Sequence, residues 1–376
     1  MRRLLLPVLL TLVMVVSTAT PVVLGVLTPK MMDEFSVNRT VMGLAATAIF
    51  VCAALLSPTV GRLADWLGAR LAVVMVFVAV ALGLAAIGLA PAFWVVLLGC
   101  AATGLGQAMA NPATNHLISV EAPAGGRGLL TGVKQAGVQV GNAVGGTVLP
   151  VTAVAIGWRF TTVGVGLFAL SVLSMLPIIG SEHSRRLSRP PREALGPRTR
   201  VITVYGGLLG FPAGAIVAFV TLFAIEGLGM AESSAGVLLA TIGVVGIVGR
   251  LSVGTISERL LGHRSTLIVM AVFSALGFIF LAFAAQVTEW LAFPGAVFIG
   301  LGLMPFNVIL NLVAMEDNSN EQLGRASGVM MTGFFIGLAI GAPVLGRLVD
   351  VFGIYQPGWL VCAALSVAAA MVARRL

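Results

Sequence analysis

Twelve runs of apolar residues, each about twenty long, dominate the chain, and a helix of that length crosses a ~30 Å hydrocarbon layer. They lie near 5–27, 40–60, 71–90, 93–118, 129–155, 161–179, 202–225, 234–256, 265–285, 291–314, 327–349 and 358–373. Lipid offers backbone groups no water partner, so such runs must form helices or a closed barrel. The dyad alternation of barrel strands is missing. The fold class is therefore an all-α integral membrane protein. Only 10% of the residues are charged, against roughly a quarter in a soluble domain. The opening MRRLLLPVLLTLVMVVSTAT has the layout of a secretory signal, but eleven further runs make an uncleaved first span the better reading.

The polar connections carry a repeat. GRLADWLGAR at 61–70 returns as GTISERLLGHR at 254–264, with Gly61, Asp65, Gly68 and Arg70 matched by Gly254, Glu258, Gly262 and Arg264. A short charged connection with glycines at its ends predicts a tight reversal between two spans. At an offset of 196 residues, GVKQAGVQVGNAVGGTVL (132–149) lies over GVMMTGFFIGLAIGAPVL (328–345), and Asn111 and Asn115 fall on Asn307 and Asn311. The chain divides into a six-span bundle at 1–179, a basic linker at 180–201 and a second six-span bundle at 202–376. Parallel repeats of this kind are a carrier design, with the solute site between the halves near the midplane.

Net charge is +8, but its placement argues for topology, not nucleic acid. With the N-terminus inside, seventeen of the 22 Lys and Arg fall on the cytosolic side, Arg250 among them. Lys30, Arg39, Arg159 and Arg347 fall outside, and Lys134 lies within a span. This asymmetry predicts both termini in the cytosol of a bacterial-type membrane. Cys52, Cys100 and Cys362 sit in apolar spans and read as small core residues. No metal-ligand cluster, nucleophile–base pair or phosphate-binding loop is visible. Neither a cofactor nor a metal nor enzymatic chemistry is expected.

Twelve spans, a doubled half, a basic central loop and GRLADWLGAR together resemble the major facilitator superfamily over the whole length. The resemblance implies two pseudo-symmetric six-helix bundles and secondary active transport by rocker-switch alternating access. It also implies that Asp65 locks one conformation by meeting a helix N-terminus and a nearby arginine, where a carboxylate is favoured. Arg127 and Arg70 are candidate partners, and Glu258 is the second-half equivalent. The alternative is a solvated turn with topogenic charge.

Lys134 is the one basic residue that the charge count leaves inside a span, seven residues and about 10 Å past Arg127 along a helix. A charge there is a functional candidate, unless its stem carries the ammonium back to the headgroups. No Asp or Glu lies mid-span beside it, so an anionic solute is the natural partner. Gln107, Asn111 and Asn115 form one stripe at i, i+4 and i+8, echoed by Asn307 and Asn311. The resemblance places the first, fourth, seventh and tenth spans around the cavity, where amides can bind a polar solute or join helices. Tyr205 on the seventh span is a weaker solute candidate. Glu226, at the end of that span, and His116 are candidates for coupling to protons; a counter-substrate is the other option.

The expected function is transport of a small polar or anionic organic solute, by a monomer in the bilayer. The lysine–glutamine pair at 134–135 loosely resembles cyanate- and nitrate-related carriers. A drug exporter is the first alternative, because GVQVGNAVGG (137–146) resembles an antiporter glycine pattern. Asn142 stands where that pattern has proline, and Cys100 where antiporters carry arginine. A receptor or sensor on the same fold is the alternative from another class.

Overall fold

The computed structural model describes residues 2–37, 39–121, 126–179 and 194–376; most of the expected linker at 180–201 lies outside them. Among the described residues there is no strand. The helices are α1 (Arg2–Ser17), α2 (Ala19–Phe35), α3 (Arg39–Gly88), α4 (Phe93–Glu121), α5 (Arg127–Ala155), α6 (Trp158–Ser171), α7 (Pro197–Leu222), α8 (Glu232–Ile256), α9 (Gly262–Val287), α10 (Ala292–Gly302), α11 (Phe306–Asp317), α12 (Leu323–Phe352) and α13 (Gln356–Ala373).

Nine described stretches are long and apolar enough to cross a membrane, or ten when the bent pair α1–α2 counts as one. Two of them, Val41–Gly88 with 48 residues and Ser234–Val287 with 54, have the length of two crossings. Both reverse on a single glycine: Gly68 at φ 77° and Gly262 at φ 73°. A side chain at that φ is strained, which explains the glycine at both places. The reversal is thus narrower than the expected ten-residue loop. Helix continues through Asp65, and the second copy ends in a π-helical turn, Ser257–Leu261.

Other spans are interrupted for local reasons. The first bends by 44° between α1 and α2, where Pro21 lacks the N–H that the Ser17 carbonyl would accept. The tenth breaks at 303–305, ahead of α11. Pro305 has no N–H to give the Leu301 carbonyl, and beside it the Met304 carbonyl accepts from Arg250 Nε at 2.9 Å. Arg250 is only 7% exposed. The charge count treated it as cytosolic, but it sits inside the 234–256 run and works there as a buried donor. Trp158 and Trp359 are also buried, whereas Trp66, Trp94 and Trp290 are exposed in the manner of interfacial tryptophans.

The contacts form two compact units. The first comprises the described residues of Met1–Pro123, Val133–Leu195 and Asn318–Val329. The second comprises those of Ala124–Gly132, Gly196–Asp317 and Met330–Leu376. Each sequence half therefore lends the start of one helix, α5 or α12, to the unit built mainly from the other half. In the first unit α3 packs on α4 and α6; in the second α9 packs on α10 and α13.

The glycine stripes explain how the helices approach so closely. A methyl on Gly137 would meet the Thr11 carbonyl, and on Gly145 the Val22 side chain. In the second unit Gly333, Gly337 and Gly341 press in the same way on the backbone of α7. The antiporter-like pattern thus has a packing cause.

Candidate functional site

Lys134 sits about two turns into the 29-residue α5. Its side chain is 0% exposed, so it does not snorkel to a surface. The ammonium donates to Thr114 Oγ1 at 2.9 Å, to Asn111 Oδ1 at 3.3 Å and to Asn115 Oδ1. All three acceptors come from α4, at one helical face. An ammonium has three donors, and here three neutral oxygens take them. Among the described residues no carboxylate reaches Lys134.

The cluster extends at both ends. Gln135 Nε2 donates to Asn111 Oδ1 at 3.0 Å, sharing that oxygen with the lysine. Asn115 Nδ2 donates to Ser327 Oγ at 2.9 Å, across 212 residues of sequence. Gln107, one turn before Asn111, is half-buried, and its Oε1 has no partner among the described residues. Farther along α5, Asn142 and Gln139 are hydrogen-bonded to each other at 3.3 Å.

Asp65 lies in the same unit and is also fully buried. Its carboxylate accepts from the N–H groups of Gly324 at 2.5 Å and Arg325 at 2.8 Å, at the start of α12. Those are the unpaired amides that begin a helix, and a carboxylate satisfies both their hydrogens and the helix dipole. Close approach is possible because methyl groups on Gly61, Gly324 or Gly328 would strike backbone of the facing segment. Arg70 is half-buried.

The second unit repeats the motif. Glu258 accepts from the N–H of Gly128 at 2.8 Å, at the start of α5. Gly254 and Gly128 meet backbone to backbone, and a methyl on Gly132 would strike the Arg250 carbonyl. Gly128 and Gly132 are the 196-residue counterparts of Gly324 and Gly328. Arg127 belongs to this second unit, where its charge, with that of His263 and Arg198, acts on Glu316.

The asparagine repeat is less even. Asn311 is buried and bonds to its own helix, donating Nδ2 to the Asn307 carbonyl at 2.6 Å. Asn307 is half-buried, with an Oδ1 that lacks a partner among the described residues. Tyr205 is buried and gives its hydroxyl to the Leu267 carbonyl of α9 at 2.8 Å. Glu226 lies in the π-helical turn that ends α7 and accepts from the Tyr355 hydroxyl at 2.9 Å. His116 is buried on α4. A cavity of about 550 Å³ lies elsewhere in the second unit, lined by Arg198, Ser257, Glu258, His263, Arg264 and Glu316 among others.

Residues 9–342 match the family model described as Major Facilitator Superfamily. The chain belongs to the major facilitator superfamily. Its long apolar helices make it a membrane-integral member of that family. Two curated relatives are 26% identical over 285 residues, which is 71% of this chain. Both are uncharacterized MFS-type transporters of Mycobacterium tuberculosis, from strains CDC 1551 / Oshkosh and ATCC 25618 / H37Rv. The match spans 61% of the length of these relatives.

Solved superfamily structures share the fold at low identity. The human organic anion transporter MFSD10 (TETRAN) superposes with a TM-score of 0.81 at 14% identity, covering 98% of both chains. The proton:xylose symporter XylE bound to 6-bromo-6-deoxy-D-glucose also gives 0.81, at 15% identity, with 99% of this chain and 95% of that one covered. A bacterial homologue of the iron transporter ferroportin gives 0.80 at 13% identity, covering 98% of both chains.

Within this superfamily member, two polar residues of the cluster escape sequence reasoning. Thr114 is three residues from Asn111 and shares its face, a spacing that could have flagged it. Ser327 gave no such signal, because only the folded chain brings it to Asn115.

Proposed function

We propose that the protein is a secondary active carrier for a small organic anion, with Lys134 as the charge that meets the solute. The observation that carries this reading is a fully buried ammonium surrounded by neutral oxygens. When Lys134 is protonated, the cluster holds one net positive charge in a membrane span, where charge is costly. A solute carboxylate or similar anion offsets that cost. Gln107 adds an unused acceptor on α4, the helix that supplies the three acceptors of Lys134, suited to a hydroxyl or N–H of the solute. Solute contact needs one of the three acceptors to let go, and the bond to Asn111 is the longest and the most readily replaced, since Asn111 also serves Gln135.

Access alternates in this proposal by release of the Asp65 contact with Gly324 and Arg325, and of the Glu258 contact with Gly128. The membrane is the bacterial cytoplasmic membrane with both termini in the cytosol, and the driving partner is a proton or a counter-substrate. The drug-exporter alternative loses its main support once the glycine stripe of α5 is taken up in packing.

The test is solute affinity in purified, folded variants. Loss of a charge-assisted hydrogen bond at a poorly hydrated site costs on the order of 2–3 kcal/mol, a 30- to 150-fold weakening. Lys134→Ala should show it, and Lys134→Arg should keep part of the affinity. An alanine variant that binds the anion within a factor of two of the parent contradicts the role of Lys134.

A further inference from the structure

Ser327 lies between the two sites just described. It is fully buried. Through Asn115 it touches the Lys134 cluster, and two and three residues before it stand Arg325 and Gly324, whose amides bind Asp65. One residue after it, Gly328 packs on the Ser57 carbonyl. The segment 324–328 is therefore pressed on α3 by backbone contact, capped by Asp65, and joined to α4 by the side-chain bond from Asn115 to Ser327.

The orientation of Asn115 decides whether that bond exists. Its amide has one accepting and one donating end. Lys134 occupies the accepting oxygen, which leaves the NH₂ to face Ser327. The other half of the repeat supplies a natural comparison. At the 196-residue offset Asn115 becomes Asn311, Lys134 becomes Met330 and Ser327 corresponds to Thr131. Met330 offers no donor. There Asn311 turns its NH₂ back to the Asn307 carbonyl, and the fully buried Thr131 hydroxyl has no partner among the described residues. Where lysine is present the asparagine reaches the partner segment; where methionine replaces it, the asparagine folds onto its own helix.

We propose that Ser327 is a positioning residue: Lys134 aims Asn115 at it, and the resulting bond holds segment 324–328 in place for Asp65. Displacement of Lys134 from Asn115 frees the amide to fold back on the Asn111 carbonyl, as its counterpart does, and loosens the latched segment. The link to transport rests on the carrier reading above, in which solute moves Lys134. The tie itself needs no solute, so its test fails or succeeds independently of the binding experiment.

Amide hydrogen exchange of the purified full chain in detergent, without solute, reads the tie. Peptides covering 324–328 should exchange about five-fold faster in Ser327→Ala, the loss of one buried hydrogen bond. Lys134→Met, which copies the second half, should give the same rise. The double variant should exchange no faster than either single one, and Ser327→Thr should return toward the parent. Peptides covering 127–132, held by Glu258, should keep the parent rate in every variant, which a general loss of stability would not allow. Parent-like exchange in Ser327→Ala, additive effects in the double variant, or an equal rise at 127–132 would overturn the proposal. If Lys134→Met does not fold, the alanine and threonine variants of Ser327 decide alone.

Discussion

Lys134 was legible as a lone cation in a run of apolar residues, and Asn111 and Asn115 as a polar stripe. That they satisfy one another was not. Spacing tells which residues share a helix face, but the facing of one helix to another is set by packing of the whole unit. Thr114 was hidden for a different reason: threonine in a helix commonly bonds back to its own carbonyls, and Thr114 does so too, donating to the Ala110 carbonyl at 2.6 Å while accepting from Lys134. A further residue-scale expectation concerns Glu34, which accepts from Arg159 Nε at 2.8 Å. That hydrogen bond holds the carboxyl below its ordinary value. A depressed carboxylate stabilises the fold above its unfolded pKa and loses that contribution as pH falls through its lower folded value. The pair is partly exposed, so the effect is only about 0.2–1 kcal/mol. Glu34→Gln should lower the thermal midpoint slightly at pH 7, with a gap that closes as pH falls below about 4. A gap independent of pH would mean that charge is not the cause.

Among the elements, the reversals and close crossings were legible because glycine marks them. Gly68 and Gly262 match in sequence and adopt the same positive φ. The breaks in the first and tenth spans were harder to read, since Pro21 and Pro305 occur in runs whose hydropathy is uninterrupted. That Asp65 meets a helix N-terminus followed from the family resemblance, but which amides take Asp65 and Glu258 did not, because backbone amides carry no residue signature; of the two arginines suggested, Arg70 falls in the unit of Asp65 and Arg127 in the second. These contacts predict a paired outcome. Gly328→Ala drives a methyl into the Ser57 carbonyl, an overpacking cost on the order of 1–3 kcal/mol. Gly146→Ala meets nothing within 4 Å and should be neutral or slightly stabilising. Spin labels at Arg62 and Glu321, both exposed and in the first unit, should move to longer separations in Gly328→Ala and in Asp65→Asn, and stay put in Gly146→Ala. Unchanged distances in the first two variants would reduce Asp65 to a structural cap that the segment does not need.

For the molecule as a whole, twofold repetition gives the scaffold and its violation gives the site. The carboxylate-to-helix contacts, the glycine crossings and the positive-φ reversals occur twice. The Lys134 cluster occurs once, because Met330 stands in its place in the second half. In the function proposed above, a repeated frame with this cluster in one unit suits a carrier whose solute binds through that unit. The measurement that addresses this most directly is counter-flow uptake into proteoliposomes holding the purified chain, with a panel of organic anions, neutral sugars and cationic dyes. The account predicts that an internal load of one organic anion accelerates entry of the same labelled anion, and that Lys134→Ala abolishes the acceleration while still inserting and folding. Acceleration by dyes or sugars alone, or anion counter-flow that survives Lys134→Ala undiminished, would contradict it.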